Sequence, residues 1–138
     1  MRYNSFPYSF WVKILGLIVI VTATITFFAT HHKKGVWDFN ELAVGISWGL
    51  LFVFFSKEKT DDEMIQSLKF RALAVAIISA FSITHLYNYI FLNWRLERSD
   101  GIFLSISAYQ FLALTLLIAT ACFYYLRYQV TSIRKNEK

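Results

Sequence analysis

The chain has 138 residues, 57% of them hydrophobic and 19% aromatic, a net charge of +5 and one cysteine. A soluble domain of this length has too small a core to hide so much apolar surface, so a bilayer is the better solvent for it. A lone cysteine, Cys122, excludes an internal disulfide and any CxxC metal or redox motif, and the positive charge flanks apolar stretches in a way that needs no nucleic-acid partner.

The first apolar stretch, residues 10–30, is long enough to cross about 30 Å of hydrocarbon as a helix. It ends in TFFATHHKK, where Phe27 and Phe28 occupy the places of the small residues that a signal-cleavage site needs. It therefore reads as a retained span. Thr22, Thr26 and Thr30 recur on one face, and such hydroxyls in apolar helices bond back to their own backbone carbonyls. His31, His32 and Asp38 fall in the loop that follows.

The second stretch, 37–56, is the shortest and borrows Trp37 to reach across. In ELAVGISWG, Glu41, Gly45 and Gly49 share a helix face. The GxxxG pair predicts close helix approach, either within the bundle or between two copies as a homo-oligomer through Gly45 and Gly49. Trp48, near mid-span, is expected to face another helix.

Residues 56–75 read SKEKTDDEMIQSLKFRALAV. Thr60 and Glu63 have capping-box spacing, and Asp61, Asp62 and Glu63 put negative charge at a helix start. The third helix is thus expected from Asp61 to Asn93, overshooting the bilayer by two or three turns, with Lys69 and Arg71 at the headgroups. The projecting turns offer Glu58, Asp62, Glu63, Ile65 and Leu68 as a candidate docking surface for a cytoplasmic partner. Glu58, Lys59, Asp62, Glu63, Ile65, Leu68 and Lys69 spell EK-x-x-DE-x-I-x-x-L-[RK], which resembles a loop in small, uncharacterised four-span bacterial membrane proteins. The resemblance implies a four-helix membrane topology and carries no known activity.

The third span, about 71–93, aligns Ala72, Ala76, Ala80, Thr84 and Asn88 at four-residue spacing. At 100° per residue, Ser79, Ser82, His85, Tyr89 and Asn93 fall within about 120° of each other. Lipid tolerates such a face poorly, so it is expected to point into the bundle or a hydrated cavity. The fourth span, about 102–126, carries Tyr109 and Gln110 near its start.

These spans predict an all-α, four-transmembrane-helix bundle in one domain, residues 1–138. With four crossings, Arg2, Lys13, Lys57, Lys59, Lys69, Arg71, Arg127, Arg134, Lys135 and Lys138 lie on one side and Lys33, Lys34, Arg95 and Arg98 on the other. That bias places both termini in the cytoplasm of a bacterial inner membrane. Glu41, His85, Asn88 and Gln110 form a candidate polar pocket in the outer half, and His31 and His32 are the candidate metal ligands. No cofactor is expected: His85 is the single histidine within a span, which argues against a bis-histidine haem.

No phosphate loop, HExxH or nucleophile elbow occurs. The reading is a non-enzymatic interaction or accessory subunit. The alternative is a small transporter, or a sensor of a ligand, pH or metal, using the outer polar pocket.

Overall fold

The computed structural model of the protein describes residues 9–35, 37–58, 63–91 and 106–136, the last four of these by backbone alone. They form four helices: α1 (Phe10–Lys34), α2 (Phe39–Phe55), α3 (Glu63–Ile90) and α4 (Ala108–Asn136). Three of them, α1, α3 and α4, are long and apolar enough to cross a membrane. At 1.5 Å per residue α1 is about 38 Å long, against about 26 Å for the 17-residue α2.

Three helix boundaries have a clear local cause. α1 continues past Thr30 through His31–Lys34, so the two histidines lie on the helix and not in a loop. It stops at Gly35, which adopts φ 67° and donates its N–H to the His31 carbonyl at 2.8 Å. Glycine reaches that left-handed conformation at no steric cost. Asp38 is the N-cap of α2, its Oδ1 accepting from the backbone N–H groups of Asn40 and Glu41. α4 begins at Ala108, six residues later than its apolar run suggests, because Ser107 and Gln110 form a reciprocal capping box: Ser107 N donates to Gln110 Oε1 at 3.0 Å and Gln110 N to Ser107 Oγ at 3.3 Å. The expected capping box at Thr60, and the ends of α3 at Asp61 and Asn93, lie outside the described residues.

α1 packs on α2, α2 on α4, and α4 on α3. The α1–α2 seam is backbone against backbone. A Cβ built at Gly16 would sit 2.7 Å from the Gly49 carbonyl oxygen, and one at Gly49 would sit 2.8 Å from that of Gly16. Gly45 lies against Ala23 of α1. The GxxxG pair is therefore filled by α1 of the same chain. On the other flank, Ala72, Ala76 and Ala80 are fully buried in α3, and the core that Ala72 and Ala76 share with α4 includes Leu116, Ala119 and Phe123. Phe54 of α2 joins the same core.

Two expectations about helix faces are corrected. Trp48 is 54% exposed and packs beside Phe52 on the outer side of α2. In α3 the arc containing Ser82, His85 and Tyr89 is exposed, on the side opposite the alanine seam. Apolar side chains gain little by leaving lipid for protein, so close packing of small residues decides which face turns inward. The alanines win over the polar side chains. Thr22 and Thr26 do bond back, to the carbonyls of Ile18 and Ala23.

Candidate functional site

The helix ends near Lys13 form a charged node that joins all four helices. α2 is short, so its last carbonyls end inside the protein, where they need donors other than water. Lys69 of α3 supplies them: its Nζ donates to the carbonyls of Phe54 at 2.9 Å and Ser56 at 2.5 Å. The ammonium also lies 5.4 Å from the centre of the Phe123 ring and 5.9 Å from that of Phe54. Lys69 is 2% exposed, so it is a buried cap and not a headgroup anchor. A positive charge at the carbonyl end of α2 also complements the helix dipole.

Just beyond, Glu58 receives two cations. Lys13 of α1 pairs with its Oε1 at 2.6 Å, and Arg127 of α4 with its Oε2 at 3.0 Å. The Glu58 side chain is 5% exposed, Lys13 16% and Arg127 36%. Burial works against ionising Glu58, but the hydrogen bond from Lys13 and the charges of Lys13, Lys69 and Arg127 outweigh it. Its carboxyl is held below the ordinary glutamate value. Tyr124 adds its ring, 5.3 Å from the Lys13 ammonium.

Glu58 is committed within the chain, and Ile65 and Leu68 are buried in the α3–α4 core. Glu63 is exposed, and Asp62 lies outside the described residues.

At the opposite end lie the four candidates for the polar pocket. Glu41 is exposed on the first turn of α2, and His85 is exposed, stacked on Phe81 at 5.6 Å. Asn88 is half-buried, its Oδ1 buried without a hydrogen-bond partner. Gln110 alone of the four lines a cleft of about 450 Å³ between α2, α3 and α4, with Phe39, Ile46, Tyr87, Leu114 and Leu117 among its other walls. His31 is stacked on Trp37 at 3.6 Å, inside an aromatic group with Phe27, Phe28 and Phe39, whereas His32 is exposed. Among the described residues no three His, Cys, Asp or Glu side chains gather as a metal site.

Part of the node is readable from sequence once seen. Carried one turn back from Ala72, the alanine seam reaches Leu68 and Lys69, and one turn further reaches Ile65. The SAYQ capping box is equally local. The Glu58 pairs are not, because their partners lie 45 and 69 positions away in the chain. Comparison with protein families, with curated proteins and with solved structures finds no match to this chain.

Proposed function

We infer that the protein is a non-enzymatic membrane interaction subunit that binds a transmembrane helix of another membrane protein through the outward face of α3. The observation that carries this reading is the exposure of Ser82, His85 and Tyr89 on one side of a helix apolar and long enough to cross the bilayer. Polar side chains at membrane depth are costly against hydrocarbon and act as interhelical adhesive against another helix. The burial of Ile65 and Leu68 moves the proposed docking site from the projecting helix end into the membrane.

In the same reading α2 also crosses, giving four spans with both termini in the cytoplasm of a bacterial plasma membrane. The charged node supports it, since it gathers the start of α1, the end of α2, the start of α3 and the end of α4 at one level. The excess of basic residues on that side supports the orientation. The transporter or sensor reading has less support, because Glu41 and His85 are both exposed, on separate helices.

A photo-reactive amino acid placed at positions 82, 85 and 89, and at 14, 18 and 25 on α1 as controls, tests the reading in cells. A discrete protein adduct from the α3 positions alone is expected. Lipid adducts alone, or identical adducts from both helices, would overturn it.

A further inference from the structure

We propose that the cleft between α2, α3 and α4 is a site for one acyl chain of a membrane phospholipid, with a carbonyl oxygen of that lipid held by the side-chain amide of Gln110. The volume, about 450 Å³, lies within the range of small-molecule sites. The shape is that of a chain. From Phe39 to Ile46 on α2 and from Gln110 to Leu117 on α4 the walls run for about two helical turns, about 10 Å along the helix axes. Phe39, Tyr87 and Leu117 are exposed, so the cleft opens sideways onto its surroundings, which at this depth are lipid.

The polarity is one-ended. The inner walls, Ile46 and Leu114, are aliphatic, and Gln110 stands at the rim in the first turn of α4. Its Oε1 is committed to the Ser107 N–H at 3.0 Å in the capping box. The Nε2 pair of donors of the same amide suits an acceptor head. An ester carbonyl above a hydrocarbon tail has that chemistry.

The full chain in phosphatidylcholine nanodiscs, doped with a phosphatidylcholine carrying a diazirine within one acyl chain, is irradiated and its labelled residues are mapped by mass spectrometry. Labelling is expected to concentrate at Ile46 and Leu114 over the lipid-facing controls Leu17, Ile18 and Val21 of α1. Ala113→Trp, which fills the cleft, is expected to abolish the excess. Gln110→Leu is expected to lower it about fivefold, the factor corresponding to one neutral hydrogen bond of about 1 kcal/mol. Equal labelling of cleft and control positions in the unaltered chain would overturn the proposal, and that comparison requires no variant to fold. Unchanged excess in Gln110→Leu would overturn the role of the amide.

Discussion

Glu58→Ala removes the one carboxylate to which Lys13 and Arg127 are both paired. Taking away one partner of a buried pair costs about 3–5 kcal/mol, because the other charge is left without compensation. Two corrections bring that down. Arg127 is 36% exposed, so its half belongs with surface pairs worth about 0–1 kcal/mol. Lys13 is 16% exposed and regains some hydration when released. Lys69 works in the other direction, since it stays buried beside two carbonyls after its neighbouring negative charge has gone. The expected loss is about 3 kcal/mol, or about a 150-fold shift in the unfolding equilibrium. Reversible unfolding in mixed micelles, followed by circular dichroism, measures it, with Glu41→Ala as an exposed control expected within about 0.5 kcal/mol of the parent. In a double-mutant cycle, Glu58→Ala and Lys13→Ala should be strongly non-additive. A Glu58→Ala loss as small as that of the control would show that Glu58 is solvated, and the node would have to be abandoned.

Three further outcomes follow from the same packing. The Glu58 pKa is lower folded than its ordinary 4.5, so its contribution is complete above that value and is lost as pH falls through the lower folded pKa; Glu58→Gln should flatten this acid limb of an unfolding-versus-pH curve. Lys69→Met keeps the stem and removes the donor, leaving the Phe54 and Ser56 carbonyls unserved, for an expected loss of about 2 kcal/mol by the same micelle assay. Gly49→Ala drives a methyl group into Ile20 and the Gly16 carbonyl, with an expected loss of about 1–3 kcal/mol and no change of mass in analytical ultracentrifugation.

Much of the architecture could be read from one-dimensional pattern. Apolar run length marks the helices, and the small residues at Gly45, Gly49, Ala72, Ala76 and Ala80 mark the faces that turn inward. The failures have a shared physical origin. The polarity of Ser82, His85 and Tyr89 favours an inward face in lipid, yet close packing of the alanine seam on the opposite side sets the orientation. Glu58 looks like a solvated loop charge because its neighbours in sequence are polar, and Lys69 like a headgroup anchor because it lies at the end of an apolar run; their burial depends on α2 ending early and on Lys13 and Arg127 arriving from distant helices. The Gln110 cleft depends on how three helices diverge, which spacing along one helix does not encode.

The orientation of α3 bears most of the functional reading, and a nitroxide scan along residues 76–89 of the purified protein in excess lipid measures it directly. Oxygen accessibility should peak at 78, 82, 85 and 89 and fall to a minimum at 76 and 80. A profile of the opposite phase, with 82 and 85 shielded and 76 and 80 open to lipid, would place the polar side chains inside the protein and contradict the account.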